Sequence, residues 1–237
     1  MFLTNKINDR LIVIGEEEKP DPVFSMQLVI GDKRAALIDA GLGHDRSLDA
    51  VVRKFTNLPV TLLITHGHFD HVGNAALFHD IHMSKLDDAE LEKPFPHKGL
   101  TDGETFDLGG VVLEACALPG HSRGSFCFLN RRDGYVLAGD AVNQSTGLLW
   151  KTCAAPADYA ETLRKFTKKL ADSGISDIYH GHSMYKLPDG ICGDMIAALE
   201  EIVRGDTAGD EPYHIENPGA KEPYQHRYGN AMIIYTR

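Results

Sequence analysis

Residues 65–71 read Thr65-His66-Gly67-His68-Phe69-Asp70-His71, so three imidazoles and one carboxylate fall within six positions. The apolar, β-branched run 60–64 comes just before and predicts a buried strand. Residues 72–78 follow and predict the start of a short helix. The polar cluster therefore lies on a strand-to-helix loop, where a rigid scaffold can present functional groups.

The residue types in this loop are those that bind metal ions. Imidazole and carboxylate are natural ligands of zinc and similar borderline metals. His66 and His68 are two residues apart and project to one side of an extended backbone, while Gly67 permits a tight turn. Asp70 and His71 come one turn later and can face a second point nearby. Four such groups are hard to bury without partners, so a metal site is favoured over its alternative, a solvated histidine-rich loop.

The pattern His-x-His-x-Asp-His resembles the signature of the metallo-β-lactamase superfamily, and four further motifs extend the resemblance. These motifs centre on Asp39 before Gly41-Leu42-Gly43, His121 in Pro119-Gly120-His121-Ser122, Asp140 at the end of 135–140, and His182 in His180-Gly181-His182-Ser183. All five motifs occur in the family's order between residues 39 and 182. Within the superfamily, the chain looks most like the metallo-hydrolases of the glyoxalase II and lactonase group.

The resemblance implies a fold and a dinuclear metal centre. The fold would be a four-layer αββα sandwich of two mixed β-sheets with outer helices, whereas composition alone indicates only α/β or α+β. One divalent metal ion would be held by His66, His68 and His121, and a second by Asp70, His71 and His182. Asp140 would bridge the two ions. Zinc is the expected metal, although iron and manganese accept the same ligands.

Three acidic or imidazole side chains have further expected roles at this centre. Asp70 is expected to be catalytic as well as a ligand, by orienting or shuttling the proton of the attacking water. Asp39 is expected to hydrogen-bond and orient the ligand loop, the alternative being a turn-forming aspartate. His180 flanks the same glycine as His182, so it is either a competing ligand or a residue that supports the site.

Residues that shape the substrate pocket are expected from the irregular segments 93–103, 141–155 and 205–230 rather than from the ligand loops, which are committed to metal. Trp150, the only tryptophan, lies in the segment after Asp140 and suits a pocket wall, the alternative being a core position. Arg123 departs from the family's usual proline and would place a positive charge near the site for an anionic substrate, unless it is a plain surface arginine. The last segment is expected to add at least one tyrosine to the pocket.

The implied reaction is hydrolysis of a small carbonyl substrate, a thioester, lactone or ester, by water activated between two metal ions. The chain after His182 holds one predicted helix and one strand, unlike the helical glutathione-binding region of glyoxalase II, so the substrate itself is not predicted. Three alternatives stay open. They are a mononuclear iron dioxygenase of the persulfide-oxidising kind that uses His66, His121 and Asp140, a phosphodiesterase on the same fold, and a non-catalytic binding protein.

Composition limits the partners. The 237 residues include 34 acidic and 24 basic side chains, a formal net charge of −10, which disfavours nucleic acid and leaves a small-molecule substrate. No membrane-length apolar run, signal peptide or Cys-x-x-Cys spacing occurs, so a cytoplasmic protein with reduced thiols and no membrane partner is expected. No linker or repeat divides the chain, which predicts one domain over residues 1–237. The oligomeric state is left open, a homodimer included.

Periodicity predicts the order of the elements. Strands are predicted at 10–14, 23–30, 35–38, 60–64, 81–84, 105–108, 111–118, 125–129, 135–138, 175–179 and 232–235. Helices are predicted at 45–55, 86–92, 156–173 and 191–204. An acidic loop is predicted at 15–22, and no regular element is predicted within 141–155 or 205–230.

Overall fold

The computed structural model describes residues 1–17, 23–214 and 222–237. The four α-helices of these residues are α1 (Leu48–Arg53), α2 (Phe69–Val72), α3 (Pro156–Asp172) and α4 (Ile191–Arg204). Their strands are β1 (Phe2–Lys6), β2 (Leu11–Glu17), β3 (Val23–Ile30), β4 (Ala35–Ile38), β5 (Val60–Leu63), β6 (Ile81–Met83), β7 (Lys98–Gly99), β8 (Thr105–Asp107), β9 (Val112–Ala117), β10 (Phe126–Asn130), β11 (Tyr135–Leu137), β12 (Ser145–Leu148), β13 (Asp177–Tyr179), β14 (Glu211–Pro212), β15 (Tyr224–Tyr228) and β16 (Ala231–Tyr235). The loop predicted at 15–22 lies mostly outside the described residues, as does part of 205–230.

The first sheet, sheet I, has the strand order β1-β2-β3-β4-β5-β6-β7. It is antiparallel as far as β4 and parallel from β4 to β7, so it is a mixed sheet. The parallel pairing aligns Ile38 with Leu63, so the chain leaves β4 and β5 at the same edge. This register places Asp39 beside the histidine loop that follows β5.

The second sheet, sheet II, has the order β13-β11-β10-β9-β8 and is also mixed. Only β11 and β13 pair in parallel, with Leu137 opposite Tyr179. The residues after these two strands therefore emerge together, and Gly181 N–H donates to the Gly139 carbonyl at 3.2 Å. A further bond joins the two sheets, because Phe126 N–H donates to the Thr65 carbonyl at 2.8 Å.

Apolar side chains divide among three layers of contact, which confirms the predicted αββα sandwich. One cluster joins α1 to the outer face of sheet I, through residues such as Leu48 and Leu37. A second fills the space between the sheets, for example between Ile38 and Phe128. The third joins sheet II to α3 and α4. The apolar stripe of α3 predicted from the sequence faces this third cluster.

A third sheet, sheet III, was missed by the sequence analysis. Its order is β12-β16-β15-β14, and β12 pairs in parallel with β16. Three of its strands come from the segments 141–155 and 205–230, for which no regular element was predicted. β12 is held by Ile233 and its neighbours, which lie more than 80 residues later in the chain, and such non-local pairing leaves little local periodicity.

The remaining differences are at the periphery. The predicted helix 45–55 is shorter, and the predicted helix 86–92 is a 3₁₀ helix over Lys85–Glu90. Strand β1 was not predicted, because it is an edge strand without a buried face and so lacks an alternating pattern. Within the described ranges, no helix has both the length and the apolar character needed to cross a bilayer.

Candidate metal centre

The residues of the centre are delivered by loops at strand ends. His66 and His68 lie between β5 and α2, and α2 itself carries Asp70 and His71. His121 follows β9, while Asp140 and His182 follow the parallel strands β11 and β13. The fold therefore brings together seven candidate ligands that are separated by up to 116 residues in sequence, in two groups whose ligand atoms lie within 4.8 Å of one another.

The first group consists of His66, His68 and His121. Nδ1 of His68 lies 3.0 Å from Nε2 of His66 and 2.9 Å from Nε2 of His121. His121 Nδ1 donates to the carbonyl of Gly147 at 3.0 Å, which leaves its Nε2 as a lone pair. Burial lowers the pKa of all three imidazoles, that of His121 to about 4. The group is therefore neutral at pH 7, the state that binds a metal ion.

His66 has its tautomer fixed by the residue before it. The Thr65 hydroxyl donates to Asp39 Oδ2 at 2.8 Å, so it can only accept from His66 Nδ1, 3.1 Å away. The Nε2 of His66 is then a lone pair as well. A single proton on His68 can serve only one of the two facing lone pairs, so the three converging nitrogens fit a shared cation better than a hydrogen-bond network.

The second group consists of Asp70, His71, Asp140 and His182. His71 Nε2 lies 3.6 Å from Asp70 Oδ2 and 3.6 Å from Asp140 Oδ1, and it is a buried nitrogen without a hydrogen-bond partner. Nε2 of His182 is 2.8 Å from Asp140 Oδ2. Asp140 Oδ2 is also 3.9 Å from His121 Nε2, so this carboxylate lies between the two groups, where a bridging ligand is needed.

Electrostatics in the second group favour added positive charge. Burial alone would lower the pKa of His71, but the carboxylates of Asp39, Asp70 and Asp140 together raise that pKa well above its ordinary value. Burial alone would raise the pKa of Asp140, but His182 and His71 hold it well below its ordinary value. A divalent cation in this group would satisfy the same carboxylates that otherwise hold protons on the imidazoles.

Asp39 lies where the sequence analysis expected a supporting residue. Its φ of 64° is the only left-handed backbone conformation of a non-glycine residue in the described part of the chain. Its carboxylate accepts from Thr65 N–H at 2.7 Å, from the Thr65 hydroxyl at 2.8 Å and from His71 Nδ1 at 2.7 Å. Because Nδ1 of His71 donates here, Nε2 is the nitrogen turned to the second group, where a metal ion would displace its proton.

His180 belongs to neither group of ligands. It is buried, and its ring centroid is 6.5 Å from that of His182. Its carbonyl accepts from the Ser25 hydroxyl at 2.8 Å and the Gln27 amide at 3.0 Å, which fixes the loop backbone. Gly181 leaves room for the ligands, because a Cβ there would lie 2.6 Å from His71 Cε1 and 2.8 Å from Asp140 Oδ1.

Asp87 is a supporting residue that the sequence analysis missed. It is fully buried and accepts from Gly67 N–H at 3.0 Å, from the Ser122 hydroxyl at 2.7 Å and from Gly124 N–H at 2.7 Å. It therefore ties the loop of His66 and His68 to the loop of His121. In the sequence it stands beside Asp88, which is exposed, and no local signal distinguishes the two.

A cleft of about 600 Å³ opens onto both groups. Trp150 forms part of its wall, with its ring 4.8 Å from that of His68 and 5.7 Å from that of His121, and it remains 45% exposed. Of the three tyrosines in the segment 205–230, Tyr213 lines the cleft, as expected for at least one of them, whereas Tyr224 and Tyr228 do not. Arg123 is exposed and lines no part of it, so the structure does not place the expected positive charge there.

The comparisons with known proteins agree with this geometry. A family model described as the metallo-beta-lactamase superfamily matches residues 20–182, which include every candidate ligand. The chain is 28% identical to the acyl-coenzyme A thioesterase MBLAC2 of Gallus gallus, over 65% of the chain and 70% of that protein. It is 30% identical to the hydroxyacylglutathione hydrolase GloC of Haemophilus influenzae, over 65% of the chain and 82% of that protein.

Among solved structures, the fold is similar to that of a metallo-beta-lactamase from Pontibacter korlensis. The two align with a TM-score of 0.71 at 19% identity, over 84% of this chain and 99% of the other. At that level of identity the similarity concerns the fold alone.

Proposed function

Because the chain belongs to the metallo-β-lactamase superfamily and is a metallo-hydrolase, we propose that it hydrolyses a small acyl thioester, with esters and lactones as related substrates. We further propose that it uses two divalent metal ions and that both are zinc. The two relatives named above support the choice of a thioester, since one is named an acyl-coenzyme A thioesterase and the other a hydroxyacylglutathione hydrolase.

The observation that carries the proposal is a set of buried imidazole nitrogens that protein groups cannot all satisfy. Nε2 of His66 and Nε2 of His121 face one nitrogen of His68, and Nε2 of His71 is buried without a partner. Burying such groups unpaired is costly, so the donor set fits metal ions. His66, His68 and His121 would hold one ion, and Asp70, His71 and His182 the other, with Asp140 between them.

Metal ions at these positions would activate a water molecule and polarise the substrate carbonyl. Among the protein's own side chains, Asp70 has the first role in the reaction. It lines the cleft, and its Oδ2 lies within 3.7 Å of both His71 Nε2 and His182 Nε2. From there its carboxylate can accept the proton of the attacking water and return it to the departing thiolate. Trp150 and Tyr213 would position the acyl substrate and exclude bulk water from the cleft.

The two catalytic alternatives are less well supported. A mononuclear dioxygenase would use His66, His121 and Asp140 and would leave the second group without a role, although that group is as fully assembled as the first. A phosphodiesterase ordinarily binds its substrate's phosphate with cationic side chains, and no lysine or arginine is among the described residues that line the cleft.

The test combines metal analysis with a substrate screen. Protein purified without added metal should contain about two zinc or manganese ions per chain, whereas one iron would favour the dioxygenase and none the binding protein. Metal-loaded protein should hydrolyse thioesters faster than lactones or phosphodiesters. Trp150→Ala should lower kcat/KM on the best substrate by about tenfold with little change in the thermal melt, because the side chain is half exposed. An unchanged kcat/KM would exclude Trp150 from the pocket, and a preference for phosphodiesters would overturn the thioesterase proposal.

A further inference from the structure

The cleft beside the metal centre has a one-sided charge distribution. Four carboxylates line it, those of Asp70, Glu90, Glu92 and Asp140, and no lysine or arginine does so among the described residues. Asp70 and Asp140 belong to the second ligand group, where a metal ion would neutralise them. Glu90 and Glu92 lie outside both ligand groups, so the charged side chains of the described lining away from the ligands are negative only.

Within the part of the chain that the structure describes, neither of these two glutamates has a lysine or arginine partner. Glu90 ends the 3₁₀ helix and is only 16% exposed, and its Oε2 lies 3.9 Å from Nε2 of His68. No ion pair with a lysine or arginine is found for Glu90 or Glu92 in the described ranges. Lys151, next to Trp150 in sequence, is exposed and is not among the residues that line the cleft. A carboxylate this well covered and without a cation is ready to bind a positive group of a ligand.

Aromatic side chains share the cleft with these carboxylates. Trp150 is 45% exposed and Phe69 is 58% exposed, and Tyr213 completes the aromatic wall. Aromatic faces attract ammonium groups through the ring quadrupole, most strongly for tryptophan. An aromatic wall combined with nearby carboxylates attracts a cation by both effects, whereas the carboxylates of Glu90 and Glu92 repel an anionic group.

We propose that this cleft selects acyl substrates that carry a positively charged ammonium-type group, and that Glu90 and Glu92 determine this specificity. The proposal rests on the proposed hydrolase function for its reaction and goes beyond it in the class of substrate. It sets this chain apart from a relative named for acyl-coenzyme A, since coenzyme A carries phosphates that the two glutamates would repel. Hydrolysis of such a thioester consumes one water and releases a carboxylic acid and a thiol.

Binding is measured first, on the metal-loaded protein, from the fluorescence of Trp150, the only tryptophan of the chain. Choline and its uncharged isostere 3,3-dimethylbutan-1-ol are the two probes. Choline should bind about tenfold more tightly, and the double variant Glu90→Gln with Glu92→Gln should bring the two dissociation constants close together. Equal binding of the two probes by the wild type, or a preference that survives in the double variant, would overturn the proposal.

A matched control removes the same charge elsewhere. Glu161→Gln with Asp172→Asn takes two exposed carboxylates from α3, and neither lines the cleft. This variant should keep the full preference for choline, and its loss would show that net charge rather than the cleft is responsible. Metal content is measured in every variant, because Glu90 lies near His68.

Hydrolysis gives a second and separate readout. Acetylthiocholine and its 3,3-dimethylbutyl isostere differ only in the charge of the leaving group, while S-acetyl-3-mercaptopropionate carries a smaller, anionic carboxylate at that end. A thiol reagent follows the hydrolysis of all three. The value of kcat/KM should be highest for the cationic substrate, lower for the neutral one and lowest for the anionic one. The differences between these three values should become smaller at high salt and in the glutamate double variant. If none is hydrolysed while choline still binds selectively, the thioesterase proposal fails and the cation preference stands.

Discussion

Replacing Asp39 with asparagine should weaken metal binding in one ligand group and not in the other. Asp39 accepts three hydrogen bonds, two from Thr65 and one from His71 Nδ1. Asparagine tolerates the left-handed backbone at this position, so the fold is kept. Its side chain, however, has only one acceptor oxygen and brings an NH₂ group into a site surrounded by donors.

The size of the effect follows from where that NH₂ group points. If it takes the place of Oδ2, it donates to His71 Nδ1 and moves the imidazole proton to Nε2, where the ligand lone pair is needed. The lost hydrogen bond to a charged acceptor corresponds to about 1.5–3 kcal/mol, which is about 10–100-fold in metal affinity. The first group feels only the indirect link through Thr65 to His66, so its affinity should change severalfold at most.

The assay is competition for zinc with a chromophoric chelator, which resolves two affinities per chain. Asp39→Asn should lower the affinity of the group containing His71, with the thermal melt of the metal-free protein reporting whether the fold is intact. Asp9→Asn is the control, because Asp9 has a 95% exposed side chain away from the centre. Equal weakening of both affinities, or no weakening in an intact protein, would refute the role assigned to Asp39.

Two further predictions concern buried groups outside the ligand set. Asp87→Ala leaves two backbone N–H groups without an acceptor and the Ser122 hydroxyl with only Ser125 Oγ, so the free energy of unfolding in urea should fall by about 3 kcal/mol. The exposed Asp88→Ala should lower it by about 1 kcal/mol at most. Burial lowers the pKa of His180 from 6.5 to about 4, so the unfolded protein binds a proton at this residue more readily than the folded protein does. The stability that the folded protein gains from a neutral His180 is therefore complete above pH 6.5 and is lost as the pH falls from 6.5 towards 4. In metal-depleted protein, the free energy of unfolding of His180→Gln should therefore fall by up to about 3 kcal/mol less than that of the wild type over this pH interval. Equal decreases for the two proteins in urea titrations would contradict the lowered pKa of His180.

The ligand set was predictable because each of its members stands next to a recognisable strand. His66 follows an apolar run that can only be a buried strand, and Asp140 ends another. Given the αββα sandwich, parallel pairing of β4 with β5 and of β11 with β13 brings the residues after these strands to the same place. The two groups of ligands observed are those expected from the motifs, while their roles as metal ligands stay a prediction for the experiments above.

What could not be predicted depends on contacts between distant parts of the chain. Asp87 has its function only because the loops of His66 and His121 meet over it, and nothing near it in sequence records that meeting. Arg123 was expected near the site because it lies two residues from His121, yet it is exposed and outside the cleft. Proximity in sequence fixes the position of a loop, but the direction of one side chain within it depends on packing.

Sheet III, which the sequence did not indicate, connects the cleft wall to the metal centre. The Gly147 carbonyl that accepts from His121 Nδ1 belongs to β12, and Trp150 lies two residues after the end of that strand. β12 is held in place by β16, whose Ile234 also lines the cleft. A single strand therefore positions both the residue that fixes a ligand tautomer and the aromatic wall of the cleft. Changes that shift β12 to accommodate a different substrate should consequently alter metal binding in the first group, so specificity and metal affinity are not independent in this fold.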